Sequence, residues 1–270
     1  RKVYPLPRIE DIVARRGKYK FFTKLDLSMQ YYIFELDEPS QEIATIVTSF
    51  GKFGYQRMAM GLCTSPDEAQ SMMTHILRDL DVDVYIDDVG IFTDGSYDEH
   101  LIVVDKVLDR LQSNGCKMNP LKCDWAVQET DFLGYWLTPN GVKPWKKKVD
   151  AILKMKKPET TTQLRSFLGA VTYYRHLWPR RSHILAPLTA LSGKPTLQDW
   201  NPNCDKAFAE MKALIASDAI MAFPDPNKHF HIFTDASDYQ MGAAILQKDD
   251  NGKMRPVAYY SKKLSDAQKN

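Results

Sequence analysis

Long apolar runs are missing from this 270-residue chain. No stretch approaches 18 uninterrupted hydrophobic residues, which excludes a membrane-spanning helix. Cysteine is scarce: Cys63, Cys116, Cys123 and Cys204 lie far apart with no C-x-x-C, so neither a disulfide scaffold nor a zinc ribbon is expected. That usage fits a reducing, intracellular setting. Thirteen Gly and 15 Pro are too few for a fibrous protein, and neither an internal repeat nor a low-complexity tract is present. Net charge is small as well, 36 Lys+Arg against 34 Asp+Glu. What remains is globular, 44% hydrophobic and 26% charged, and long enough for about two folded units of roughly 150 residues. The chain opens on Arg1 without a signal-peptide pattern and reads as a segment of something longer.

The small net charge conceals a segregation. From Asp79 to Asp109 ten carboxylates, Asp87 and Asp88 among them, face one base, Lys106. From Lys143 to Arg181 eleven bases, including Lys146, Lys147, Lys148, Arg165 and Arg175, meet only Asp150 and Glu159. Any single charge here is an ordinary solvated residue. Taken together, the acidic and basic segments are what a metal-using enzyme acting on a polyanion needs.

Periodicity predicts helices over Ile9–Ala14, Ser65 to about Leu80, His100–Ser113, Lys146–Met155, Thr162–Tyr174, Ile184–Leu191 and Cys204–Ala216. It predicts strands over Phe21–Leu27 and Tyr31–Leu36, and a hairpin of Ile43–Val47 with Tyr55–Met58 around a Phe50–Gly54 turn. A further hairpin is expected at Phe132–Val142, and three strands at His229–Thr234, Gly242–Gln247 and Val257–Ser261. The expected class is α+β.

The most informative window is Asp83-Val84-Tyr85-Ile86-Asp87-Asp88-Val89-Gly90-Ile91-Phe92. Alternation gives the first strand one apolar and one acidic face, and a tight turn would hold Asp87 and Asp88 at a hairpin tip. Adjacent carboxylates repel, and a cation relieves the repulsion. Hard oxygen ligands suit Mg²⁺, and a third carboxylate, for which Asp26 is the candidate, would permit two ions about 4 Å apart. Asp is also a common turn residue, and in isolation the pair reads better as a solvated hairpin turn.

The pair is not isolated. Tyr85-Ile86-Asp87-Asp88, preceded by Leu25-Asp26-Leu27, resembles the polymerase core of reverse transcriptases, most closely those of Ty3/gypsy-type long-terminal-repeat retrotransposon polyproteins. Further segments in order are similar to that family: Tyr4-Pro5-Leu6-Pro7, Phe22-Thr23-Lys24, Met60-Gly61-Leu62 with Ser65-Pro66 and Gln70, Asn119-Pro120-Leu121-Lys122-Cys123, Phe132-Leu133-Gly134-Tyr135, Gln163 to Gly169 and Tyr173-Tyr174-Arg175. Phe233-Thr234-Asp235-Ala236-Ser237 resembles the first active-site strand of a ribonuclease H domain. Two positions depart from the usual pattern: Met29-Gln30 replaces Ser-Gly before Tyr31, and Met60 replaces Phe.

The resemblance implies a polymerase palm with partial fingers over residues 1–143, a helical thumb or connection over 144–225 and the truncated start of a ribonuclease H-like sheet over 226–270. It implies an RNA-directed DNA polymerase using two Mg²⁺ ions, with Mn²⁺ as the substitute, held by Asp26, Asp87, Asp88 and the Leu27 carbonyl. Tyr31 would exclude a ribose 2′-hydroxyl; from sequence alone it reads equally as a core tyrosine. Met60, Gly61, Pro66, Gln70 and Lys122 would lie against template or nucleotide, Phe132 to Tyr135 would grip the primer, and Lys146, Lys147, Lys148, Arg165 and Arg175 would touch phosphates. Asp235 would belong to an incomplete ribonuclease H metal site, so hybrid cleavage is expected only from a longer parent. Implied partners are a primed RNA or DNA template, dNTPs and the polyprotein's protease and integrase, in a cytoplasmic particle or the nucleus. The competing class is a decayed or repurposed fragment that binds nucleic acid without catalysis.

Overall fold

The structure is a computed structural model describing residues 4–15, 17, 19–217, 220–237, 240–265 and 268. It divides into two compact units, one up to Leu133 and one from Gly134. In the first, α1 (Ile9–Arg15) and β1 (Phe21–Ser28) are followed by a 3₁₀ turn at Gln30–Ile33, α2 (Glu38–Ile43) and a hairpin of β2 (Thr45–Thr48) and β3 (Gly51–Gly54). Next come α3 (Ser65–Ile76), β4 (Val82–Tyr85), β5 (Asp88–Thr93) and α4 (Tyr97–Ser113). The short strands β6 (Lys117–Met118), β7 (Asp124–Val127) and β8 (Thr130–Phe132) complete the unit. The principal sheet is antiparallel in the order β4-β5-β1-β6, and β7 also pairs with β1.

Strand alternation separates core from site. Leu25 and Leu27 of β1 and Val89 and Ile91 of β5 are buried in one cluster with Met73 and Leu77 around α3 and Val104, Val107 and Leu111 of α4. Asp26, between two core leucines, therefore points to the opposite face. Helix α4 begins with a capping box: Ser96 Oγ accepts from the Glu99 amide and Glu99 Oε2 from the Ser96 amide. Such a cap stabilises a helix by about 1 kcal/mol, and it starts α4 three residues before the expected His100.

Three other expectations change. Tyr31–Leu36 is not a strand: Met29 enters the left-handed region at φ 53° and the chain turns into the 3₁₀ segment. The β2–β3 hairpin turns at Ser49–Phe50, and the stretch from Gly51 expected as its turn is the second strand. Helix α3 stops at Ile76 rather than near Leu80, with Thr64 rather than Ser65 as its N-cap; Ser65 Oγ instead donates to the Ala59 carbonyl.

The second unit starts with the hairpin β9 (Tyr135–Thr138) and β10 (Gly141–Pro144). Gly141, at φ 141°, lies so close to the Met221 carbonyl that a Cβ has no room. Four helices follow: α5 (Lys146–Lys154), α6 (Thr161–Tyr173), α7 (Arg181–Leu191) and α8 (Pro202–Ala216). Their interior includes Leu164, Phe167, Leu188 and Met211, with the rings of Phe167 and Phe208 4.7 Å apart. The last sheet joins β11 (His231–Ala236), β12 (Gln240–Lys248) and β13 (Met254–Lys263) as an antiparallel meander in that order. The α+β expectation holds. Among the described residues no helix is long and apolar enough to cross a membrane.

Candidate active site

Asp26 and Asp88 are direct partners in the β1–β5 ladder. Residues opposite one another on antiparallel strands project to the same face, with Cβ atoms about 5 Å apart. Asp87 belongs to the two-residue turn that joins β4 to β5, and its carbonyl accepts from the Leu27 amide at 3.0 Å. The adjacent Asp87 and Asp88 thus lie at the same end of the sheet as Asp26, which is far upstream in sequence.

The field there is strongly acidic. Burial pushes the Asp88 carboxyl up to about 6, and Asp87, Asp26 and Asp131 push the same way, partly countered by Lys24. The Tyr31 hydroxyl is also raised, by burial first and then by Asp87 and Tyr85. Lys122 Nζ stands 3.6 Å from Asp26 Oδ1. Among the described residues no three His, Cys, Asp or Glu side chains are gathered into a ready ion cage. The donor set nevertheless fits a hard divalent cation: mutually repelling carboxylates, with the ammonium groups of Lys24 and Lys122 as partial counter-charges.

The turn carrying Asp87 is held from two sides. Ile86 has φ 53°, a costly conformation for a β-branched residue. Gln70 Oε1 on α3 accepts from the Ile86 amide at 2.7 Å, and Gln70 Nε2 donates to the Val84 carbonyl at 3.0 Å. Gln30 Nε2 donates to the Ile86 carbonyl at 2.8 Å. Gln70, expected against the nucleotide or template, is buried beneath the turn instead. Gln30 was not foreseen, because its neighbourhood reads as a strand.

Lys24 was also missed, although it shares a strand face with Asp26. Its Nζ lies 3.0 Å from Asp124 Oδ2 and 3.2 Å from Asp131 Oδ2. Burial would lower its pKa; hydrogen bonds and charge from Asp124 and Asp131 together outweigh that and hold it raised. Asp131 precedes Phe132, whose ring is buried over Gly90. Of the four residues expected to grip a primer, Phe132 and Tyr135 are buried, and Leu133 (φ 48°) and Gly134 (φ 80°) form the partly exposed turn between them. Met60 and Gly61 are exposed, Gly61 at φ 92°, and Pro66 lies in the first turn of α3.

In the second unit, Lys146 and Lys147 are exposed, whereas Lys148 Nζ lies 3.8 Å from the centre of the Tyr173 ring and burial lowers its pKa. Arg165 Nε donates to the Ser192 carbonyl, and Arg175 is exposed. Asp235 is exposed on β11. That strand is an edge strand of the three, because successive hairpins place β12 in the centre. Gly242 faces Asp235, but a Cβ there would meet nothing nearer than 3.8 Å, so close strand approach does not require it.

Comparison with known proteins agrees with this geometry. Residues 2–137 match the family model for reverse transcriptase (RNA-dependent DNA polymerase), and residues 200–270 that for the RNase H-like domain found in reverse transcriptase. The chain is 36% identical over 271 residues to the retrovirus-related Pol polyprotein from transposon 297 of Drosophila melanogaster, covering 99% of this chain and 25% of that polyprotein. It is 33% identical to the transposon Tf2-3 polyprotein of Schizosaccharomyces pombe, covering 99% and 20%. The chain thus spans a quarter or less of these curated relatives. The fold matches a foamy viral protease–reverse transcriptase solved with RNA/DNA hybrid at a TM-score of 0.86 and 21% identity, covering 98% of this chain and 36% of that one. A foamy viral protease–reverse transcriptase dRH solved with double-stranded DNA gives 0.87 at 22% identity, covering 98% and 47%. With half its length matched by the polymerase model, and Asp26 and Asp88 paired on one face of its principal sheet, the chain belongs to the reverse transcriptase (RNA-dependent DNA polymerase) family.

Proposed function

We propose that this chain is the RNA-directed DNA polymerase segment of a retrotransposon polyprotein, extending a primer on an RNA or DNA template with dNTPs. The observation that carries the reading is the register of Asp26 on Asp88, with Asp87 on the adjoining turn. These carboxylates and the Leu27 carbonyl would hold two Mg²⁺ ions, or Mn²⁺ in their place. Bound there, the metal supplies Lewis-acid activation of the primer 3′-hydroxyl and charge neutralisation at the phosphates. The 3′-oxygen forms a bond to the α-phosphorus while the bond to pyrophosphate breaks, and the hydroxyl proton leaves to solvent.

The remaining roles rest on the family resemblance, except that of Gln70, which rests on its hydrogen bonds to the turn. Tyr31 shapes the sugar pocket beside Asp87, and Met60, Gly61 and Pro66 line the approach of template and nucleotide. Gln70 acts by holding the catalytic turn, and Lys122 offers positive charge beside Asp26. The Leu133–Gly134 turn meets the primer, supported by Phe132 and Tyr135, while Lys146, Lys147, Lys148, Arg165 and Arg175 supply charge for phosphates. On this reading residues 1–143 are palm with part of the fingers, 144–225 thumb or connection, and 226–270 the first part of a ribonuclease H-like domain in which Asp235 is one metal ligand. The parent would carry protease and integrase and work inside the cell, in a cytoplasmic particle or the nucleus.

The test is Mg²⁺-dependent primer extension by this chain and by a longer polypeptide containing it, each beside its Asp87→Asn variant. Extension that requires Asp87 supports the reading. Tight primer–template binding with no extension by either polypeptide would favour a binding fragment instead.

A further inference from the structure

Gln30 is polar, nearly the most buried residue of its segment, and spent on one bond. It is 2% exposed, and its Nε2 donates to the Ile86 carbonyl. Its Oε1 is buried and has no hydrogen-bond partner among the described residues. An unpartnered buried acceptor is a cost that an apolar residue of the same shape would avoid. A side chain selected only to fill space would be Met or Leu. What the carboxamide adds is the donor, and the donor is aimed at the turn that carries Asp87.

That turn needs holding. Ile86 sits at φ 53°, where a β-branched side chain is strained, and Met29, immediately before Gln30, is also at φ 53°. The amide of Ile86 is already taken by Gln70 from α3. Gln30, from the segment after β1, takes the carbonyl of the same residue. The two glutamines thus hold the two polar groups of Ile86 from two different elements, the segment after β1 and helix α3. With Gly at position 30, nothing from this segment would reach the Ile86 carbonyl. With Met there, the carbonyl would face an apolar group and be left unsatisfied.

We propose that Gln30 is a positioning residue of the polymerase site: by fixing the Ile86 peptide it sets where Asp87 and Asp88 stand relative to Asp26. The inference rests on the polymerase reading above and adds to it a residue that touches neither substrate nor metal. Because Gln30 adjoins Tyr31, the same bond ties the proposed sugar pocket to the turn it abuts. A displacement of the order of 1 Å at reacting groups costs about 100-fold in rate, so loss of this bond lowers turnover far more than affinity.

The experiment compares wild type, Gln30→Met, Gln70→Met, the double variant and Asp87→Asn in the longer polypeptide. It reads kcat for nucleotide addition, KM for dNTP, primer–template Kd, unfolding midpoint, and Mn²⁺ affinity from the electron paramagnetic resonance of free Mn²⁺. The expected result for Gln30→Met is a kcat about 10-fold lower or worse, primer–template Kd within about 2-fold, and Mn²⁺ affinity reduced about 3-fold or more. The two glutamine substitutions should combine less than additively in kcat, since both loosen one turn. If Gln30→Met does not fold, Gln30→Gly serves, because it removes the donor while letting water reach the carbonyl. A lowered unfolding midpoint with unchanged kcat and Mn²⁺ affinity overturns the proposal and leaves the polymerase reading standing. Mn²⁺ binding and nucleotide addition that are indifferent to Asp87→Asn overturn that reading, and the proposal with it.

Discussion

Gly90 leaves room for Phe132 and for little else. An ideal Cβ at position 90 comes within 2.8 Å of the Phe132 ring and 3.0 Å of Phe92. Phe22, Phe92 and Phe132 pack as one aromatic group, with Phe22 and Phe92 stacked at 4.3 Å and Phe132 edge-on to Phe22 at 5.3 Å. The β4–β5 hairpin and the segment leading to the Leu133–Gly134 turn therefore meet through a missing side chain. Gly90→Ala is expected to destabilise the first unit by about 1–3 kcal/mol through overpacking. Urea unfolding followed by Trp fluorescence measures it, and an unchanged midpoint would show that the Phe132 ring moves aside freely.

Asp87→Asn is expected to abolish nucleotide addition while leaving primer–template affinity within about 2-fold of wild type. On the proposed reading the carboxylate would work on the metal, whereas affinity would come from lysine and arginine near phosphates, a contribution that weakens with salt. Single-turnover extension and a fluorescence-anisotropy titration separate the two. Parallel loss of both would contradict this division of labour.

How much of this could be read in advance varies with the kind of signal. The apolar alternation of Phe21–Leu27 and of the segments around Asp87 fixed both strands, and with them the face on which Asp26 lies. The Asp26–Asp88 register is a long-range pairing, yet the alternation leaves few ways to bury Leu25, Leu27, Val89 and Ile91 together. The α4 start was missed because a capping box depends on Ser96 and Glu99 rather than on apolar spacing. The 3₁₀ turn at Gln30–Ile33 was misread as a strand: Tyr31 to Leu36 is β-prone in composition, but a left-handed Met29 and the Gln30–Ile86 bond override that preference. Lys24 escaped for a related reason. A lone lysine in a strand reads as solvated until Asp124 and Asp131 are seen beside it.

Tyr31→Ala is expected to relax sugar selection. Tyr31 is half-buried, and the effect of Asp87 on its hydroxyl places the side chain near the catalytic turn. Removing the ring opens space for a 2′-hydroxyl, so the ratio of kcat/KM for dNTP over rNTP should fall about 10-fold or more, with the dNTP value itself falling less. An unchanged ratio would remove Tyr31 from the sugar pocket.

The last prediction concerns stability at acid pH, where two groups of the first unit act with opposite sign. His100 is fully buried between Thr23 Oγ1, at 2.7 Å, and Thr93 Oγ1, at 2.8 Å, and burial lowers its pKa below the ordinary value of about 6.5. The unfolded chain therefore binds this proton first, and stability falls as pH drops below about 6.5, by up to about 1.4 kcal/mol per pH unit until the folded-state pKa is reached. Asp88 does the reverse. Its folded-state value near 6 lies above the ordinary carboxylate range, so the folded state takes up this proton first, and stability rises as pH falls from about 6 towards 4. In chelator-containing buffer the two should act against each other in wild type as pH falls below about 6. Asp88→Asn removes the gain and exposes the loss at His100, so its urea midpoint should fall more steeply with acid than that of wild type. His100→Gln should do the opposite and gain stability relative to its own neutral-pH value. Parallel pH profiles for wild type and both variants would show that neither group titrates differently in the folded and unfolded chains.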